Sequence, residues 1–180
     1  MKHHIGIYPG TFDPIHPGHI AFATKTMLTC RLDEVVFLPE RKPRGKHDVT
    51  EIAQRIALIE NTITTESNLK VANLTLEQFT IKDTLPELHG MFPEAAFTLL
   101  VGSDIVRTFL YRWKDLGTLL NETSLAIGMR ANDTQDEMTE IIDELESRYH
   151  LLIHYSFIRA SGADITSSQI RNNNTELSVT

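Results

Sequence analysis

Gly10-Thr11-Phe12-Asp13-Pro14-Ile15-His16-Pro17-Gly18-His19 follows a short apolar run, His4-Ile5-Gly6-Ile7-Tyr8, and carries two histidines where a helix should begin. The run reads as a strand, and Pro9-Gly10 ends it because proline cannot donate to a ladder and glycine permits a sharp turn. Pro17 suits the first helical position, where its missing N–H costs nothing, which makes His16 the cap and puts His19 in the first turn. A helix start joins unpaired N–H donors to the positive end of the dipole, so it attracts phosphate before any side chain contributes. Two imidazoles add donors there. A single histidine at such a position is more often a cap or a surface residue, and His-x-x-His also suits zinc. Zinc sites recruit three or four ligands, however, and no Cys-rich or His-Glu-x-x-His pattern accompanies this pair. No metal ligand is assigned.

Working outward, apolar β-rich runs recur at Glu34 to Leu38, Leu69 to Ala72, Phe97 to Val101, Ser124 to Met129 and Leu151 to Tyr155. Between them, Ile20 to Leu28, Ile52 to Ile63 and Glu137 to Leu145 space apolar residues by three and four, and Thr134 with Glu137 fits a capping box. Such alternation predicts an α/β fold, a mostly parallel sheet with helices on both faces and ligands outside the carboxyl ends of the strands. Loops are expected at Glu40 to His47, Leu88 to Pro93 and Arg159 to Asp164.

The 180 residues suit one domain, large enough for a substantial core without disulfides. The single Cys30 and the absence of a signal-like apolar start favour a cytoplasmic location. No stretch is long enough to span a membrane. A net charge of −7 argues against broad nucleic-acid binding, which needs clustered Lys and Arg. The polar tail from Asn172 to Thr180 is expected to fray or to be ordered only by a partner.

Three further clusters carry chemistry. Arg41-Lys42-Pro43-Arg44-Gly45-Lys46-His47 places cations in a loop that proline and glycine keep from being helical, and reads as a mobile cationic arm beside a strand end. Charge runs are ordinarily solvated surface, but an acidic protein that concentrates positive charge here has what a polyphosphate needs. Gly102-Ser103-Asp104 follows another strand and opens a helix; an acidic residue there can bind ribose hydroxyls, although Asp is also a routine cap. Thr166-Ser167-Ser168-Gln169-Ile170-Arg171 reads as a capped helix start, from which the forked guanidinium of Arg171 can reach a phosphate oxygen. Trp113, the only tryptophan, suits either the core or stacking on a heterocycle.

These residues resemble the nucleotidylyltransferase superfamily, whose signatures appear here as His16-Pro17-Gly18-His19 and Ile165-Thr166-Ser167-Ser168-Gln169-Ile170-Arg171, in the expected order at opposite ends of the chain. Within it, Phe79-Thr80-Ile81-Lys82-Asp83-Thr84-Leu85, Gly102-Ser103-Asp104 and Trp113 are most similar to bacterial nicotinate mononucleotide adenylyltransferase, and Lys46 and Arg55 match its basic positions after the second strand. The resemblance spans roughly residues 4 to 171. It implies a Rossmann-like nucleotidylyltransferase fold over 1–171 and transfer of an adenylyl group from ATP, accompanied by Mg²⁺, to a pyridine mononucleotide.

The resemblance also implies roles. His16, His19, Lys46 and Arg171 would act on the phosphates. Gly10, Thr11, Phe12, Gly18, Gly102, Asp104, Ile165 and Ser168 would bind ATP, with Thr80, Thr84 and Trp113 at the acceptor. Three features depart from the nicotinate pattern. Pro9-Gly10 is closer to phosphopantetheine adenylyltransferase, the Thr80 to Thr84 element has one extra residue, and the chain ends soon after Arg171. Phosphopantetheine as acceptor and a non-catalytic nucleotide-binding module stay open as alternatives, as do nicotinate against nicotinamide and a homo-oligomeric state.

Overall fold

The computed structural model describes residues 2–160. Its strands are β1 (His4–Gly10), β2 (Glu34–Pro39), β3 (Leu69–Val71), β4 (Ala96–Gly102), β5 (Thr123–Gly128) and β6 (Tyr155–Ile158). Its helices are α1 (Pro17–Cys30), α2 (Ile52–Thr62), α3 (Ile81–Met91), α4 (Ser103–Thr108), α5 (Leu116–Glu122) and α6 (Gln135–Tyr149). The strands form one parallel sheet in the order β3-β2-β1-β4-β5-β6. The expected α/β architecture is therefore present. Chain order reverses between β1 and β4, so the crevice beyond their carboxyl ends, where Gly10 and Gly102 lie, is the place where such sheets bind ligands.

Burial on both faces explains why the strands read as near-continuous apolar runs. Successive side chains point to opposite faces. Thus Ile5, Ile7, Val36, Leu38, Leu99 and Val101 join a core with Leu85 of α3, Val106 of α4, Leu119 of α5 and Ile142 of α6. Val35, Phe37, Leu100 and Ala126 face the other way, against Phe22 of α1 and Ile59 of α2. No helix among the described residues is long and apolar enough to cross a membrane.

Three expectations need correction. Pro9-Gly10 does not end β1, which runs through both residues in register with Leu38 and Pro39 of β2, although its pairing with β4 stops at Ile7. The last strand begins at Tyr155 rather than spanning Leu151 to Tyr155. His150 caps α6 in the left-handed conformation, Leu152 is 74% exposed, and the Ile153 N–H donates to Glu146 Oε1 at 2.7 Å instead of to a strand. Leu88 to Met91 are helical, not loop, because α3 continues past the internal Pro86. The side chain of Thr80 starts that helix by accepting from Asp83 N at 3.3 Å, and Thr84, Leu85 and Leu88 bury its inner face. The motif from Ile165 to Arg171 and the tail from Asn172 lie outside the described residues.

Candidate active site

The turn from β1 into α1 builds the centre of the site. His16 is the N-cap of α1, with extended backbone, and Pro17 is the first helical residue. The His16 N–H donates to His19 Nδ1 at 3.2 Å, while the His19 N–H donates to His16 O at 2.9 Å. Because Nδ1 of His19 accepts, the proton of its neutral ring belongs on Nε2. The two imidazoles lie face to face, their centroids 3.6 Å apart and tilted by 31°. Nδ1 of His16 is shut from solvent and has no hydrogen-bond partner among the described residues.

Phe12 sets the angle of this pair. Its ring is buried and meets His19 edge-on at 5.0 Å and Tyr8 at 5.2 Å. A Cβ on Gly10 would stand 2.8 Å from Phe12 Cζ, so glycine is needed for the ring to fold back under the turn. Phe12 itself has φ of 48°, a left-handed backbone that only close packing sustains in a bulky residue. Gly18 is buried in the first turn of α1.

Burial first, then the charges of His16 and Lys46, push the His19 pKa down to about 3, and burial also lowers that of His16. At neutral pH His19 is thus an uncharged donor. The unfolded chain takes up this proton near pH 6.5, whereas folded His19 does so only near 3. The chain therefore binds more protons unfolded, and stability falls as the pH drops through that window. Denaturation midpoints at pH 7 and 5.5 should show this loss, reduced in His19→Asn; an equal loss in both proteins would contradict a buried neutral His19.

Lys46 lies on the loop between β2 and α2. That loop is anchored rather than a mobile arm, which corrects the expectation. Arg41 donates to Leu74 O at 3.0 Å and Asn73 Oδ1 at 2.6 Å, Lys42 pairs with Glu77, and Arg44 donates to Gln78 Oε1 at 3.0 Å. These partners lie more than thirty residues downstream. Three cations of the run are thus turned toward 73–78, while the charge of Lys46 is felt at His19.

At the end of β4, Asp104 folds its carboxylate against Gly102, where a Cβ would collide with Oδ1. Its Oδ2 accepts from Arg130 Nη2 at 3.0 Å. Behind it, buried Asp133 accepts from Ser103 Oγ at 2.5 Å, Arg130 N at 2.5 Å and Arg107 Nη2 at 2.8 Å. Arg159, just after β6, donates to Asp133 O at 2.8 Å. The ends of β4, β5 and β6 are therefore tied together beneath Asp104. Sequence reasoning missed Arg130, Asp133 and Arg159, although each closely follows a strand in the half of the sheet that holds Asp104.

A cavity of about 410 Å³ beside α3 is lined by Arg44, Phe79, Thr80, Asp83, Arg112 and Trp113. Trp113 is half-buried, donates to Thr108 Oγ1 at 2.9 Å and packs edge-on to Phe109 at 5.0 Å, so it is at once core and pocket wall. Thr84 differs. It is fully buried, its hydroxyl accepts from Thr80 N at 3.0 Å, and it supports the start of α3 from within. The structure thus brings Thr80 and Trp113 to one cavity and His16 and His19 to the turn from β1 into α1, where the charge of Lys46 is felt.

The model of the family described as cytidylyltransferase-like matches residues 7–173. A probable nicotinate-nucleotide adenylyltransferase of Clostridium perfringens is 30% identical over 173 residues, covering 93% of this chain and 84% of its own. One from Neisseria meningitidis is 34% identical over 135 residues, covering 72% and 68%. The nicotinic acid mononucleotide adenylyltransferase of Plasmodium falciparum, solved as a complex with NaAD, superposes with a TM-score of 0.76 at 21% identity over 96% of this chain and 83% of that one, a likeness of fold. With a match of that extent and relatives at that identity, the chain belongs to the cytidylyltransferase-like family, among the nicotinate-nucleotide adenylyltransferases.

Proposed function

We propose that this protein transfers the adenylyl group of ATP to the 5′-phosphate of nicotinate or nicotinamide mononucleotide, a step of NAD biosynthesis. An acceptor phosphate oxygen bonds to the α-phosphorus of ATP, the bond from that phosphorus to the β-bridging oxygen breaks, and pyrophosphate leaves. Protein groups need only position the reactants and stabilise charge. The observation that carries this reading is the pair His16 and His19, neutral donors at the start of α1 beside the β1/β4 crevice. The names of the relatives agree with it.

In this reading His16 and His19 meet the α-phosphate, and Lys46, Ser168 and Arg171 hold the departing phosphates. Gly10, Thr11, Gly18, Gly102, Asp104 and Ile165 shape the ATP site, and Thr80 and Trp113 hold the acceptor. Mg²⁺ enters only as the counter-ion that ATP carries; among the described residues no group of three or more His, Cys, Asp or Glu side chains is placed to hold a metal, and no step is assigned to it. Residues 1–171 act as one domain with a tail at 172–180, working in the cytoplasm.

Pyrophosphate release with ATP and, in turn, nicotinate mononucleotide, nicotinamide mononucleotide and phosphopantetheine tests the proposal. Release with a pyridine mononucleotide supports it. Release only with phosphopantetheine, as Pro9-Gly10 would favour, or with no acceptor at all, overturns it. Trp113→Ala should raise the KM for the pyridine nucleotide about tenfold, the scale of losing one aromatic stack, with little change in kcat. An unchanged KM would leave Trp113 a core residue alone.

A further inference from the structure

Arg55 takes no part in the reaction as proposed, yet it heads the large fully buried side chains at 1% exposure. Its donors all end on main-chain carbonyls: Nε on Thr50 O at 2.7 Å, Nη1 on Thr11 O at 2.6 Å and Nη2 on Glu40 O at 2.8 Å. Thr11 belongs to the turn that carries His16. Glu40 and Thr50 are the two ends of the loop that carries Lys46. A single planar guanidinium thus joins both ends of one functional loop to the other. Two further bonds follow the same seam, from Thr50 N to Asp13 Oδ2 at 3.1 Å and from Glu40 N to Gly10 O at 2.9 Å.

Burying a charge is costly, and three backbone carbonyls at fixed separations are what a rigid fork satisfies and a flexible ammonium does not. Asp13, Glu40 and Glu51 supply the compensating negative charge. An apolar side chain would fill the volume but remove the guanidinium bridge, leaving the Thr50–Asp13 and Glu40–Gly10 bonds to hold the seam without it.

We infer that Arg55 is a positioning residue that holds the Lys46 loop against the histidine turn, so that the ammonium and the two imidazoles meet one polyphosphate. The effect on rate rests on the adenylyl-transfer reading. The joining of the loops does not.

A double-mutant cycle on pyrophosphate binding tests the inference apart from catalysis. Arg55→Gln keeps an N–H at the position of Nε, for Thr50 O, but removes the two donors that reach Thr11 and Glu40. In the wild type, Lys46→Ala should weaken pyrophosphate about tenfold, as for a lost charge-assisted hydrogen bond. In the Arg55→Gln background the same change should cost less than about threefold, because Lys46 is no longer held in place. Turnover of Arg55→Gln should fall at least about tenfold, with the acceptor KM near the wild-type value. Arg55→Lys, which keeps the charge but not the fork, should behave alike, and it replaces Arg55→Gln if that variant does not fold. A lowered melting temperature with the Lys46→Ala effect intact in both backgrounds would make Arg55 merely structural and overturn the inference. So would a Lys46→Ala variant that binds pyrophosphate normally. If the wild-type protein releases no pyrophosphate from ATP, the adenylyl-transfer reading fails while the binding cycle still decides the role of Arg55.

Discussion

Replacing His19 with Ala is expected to lower turnover by a factor of about a hundred to a thousand, the scale of losing one preorganised donor at a developing charge. His19 is held by the backbone N–H of His16 at Nδ1, by Phe12 edge-on and by the ring of His16, so its Nε2–H has little freedom left to lose when a phosphate arrives. Its depressed pKa makes the ring a neutral donor before a phosphate arrives, and the negative charge of an incoming polyphosphate then raises that pKa and strengthens donation from Nε2. Alanine removes two things at once, the donor and the acceptor for the His16 N–H. His19→Asn separates them, since its amide oxygen can still accept from His16 while its nitrogen falls short of the position of Nε2. Asn should therefore regain most of the roughly 1 kcal/mol that a lost cap contact costs, and almost none of the turnover. Steady-state pyrophosphate release and urea midpoints on the two variants provide the comparison. Turnover near the wild-type value in either would remove His19 from the reaction.

The fold was legible wherever the chain punctuates itself. Pro17 opened α1, and the runs at Glu34, Leu69, Phe97 and Ser124 became strands because a parallel sheet covered on both faces makes each one apolar. Pro9-Gly10 did not close β1, because both residues stay in register with β2 while pairing with β4 stops at Ile7. Periodicity failed where apolar residues serve two ends. Leu151-Leu152-Ile153 has strand composition, yet these residues carry the chain from the C-cap at His150 to the sheet, and only Ile153 of the three is deeply buried. Leu88 to Pro93 read as a loop, but α3 runs to Met91, past Pro86 at its sixth position.

Long-range pairing was the other blind spot. Arg41, Lys42 and Arg44 look like a free basic run because their partners, from Asn73 to Gln78, have no local signature. Arg55 sits in an amphipathic helix pattern where an arginine normally faces water, and only the meeting of Thr11, Glu40 and Thr50 explains its burial. The paired histidines of α1 were legible because a helix start is a local feature; the supports behind them are not local.

Asp133→Ala should destabilise the protein by about 2–3 kcal/mol, the scale of leaving the buried Ser103 hydroxyl and the Arg130 N–H unsatisfied, while Arg107 keeps its bonds to Glu137. The carboxylate receives Ser103 Oγ, Arg130 N and Arg107 Nη2, and Ser103 is fully buried, so the hydroxyl left behind cannot turn to water. Burial opposes ionisation of Asp133, but the hydrogen bonds from Ser103, Arg107 and the Arg130 N–H outweigh it and hold the pKa below the usual carboxylate value. Its contribution is therefore complete above the unfolded pKa near 3.9 and is lost as the pH falls through the lower folded value. Asp133→Asn keeps the shape and one acceptor oxygen, and should cost about half as much as Ala, since either Ser103 or Arg107 then loses its acceptor while the other keeps a neutral one. The damage should also reach the nucleotide. Arg130 is placed by Asp133 and in turn holds Asp104, so under the proposed reaction the KM for ATP should rise in both variants even at temperatures where they stay folded. Urea denaturation of the three proteins at pH 7, read beside their KM values, distinguishes the cases. An Asp133→Ala protein within about 1 kcal/mol of the wild type would mean that the ends of β4, β5 and β6 are held by their strands alone.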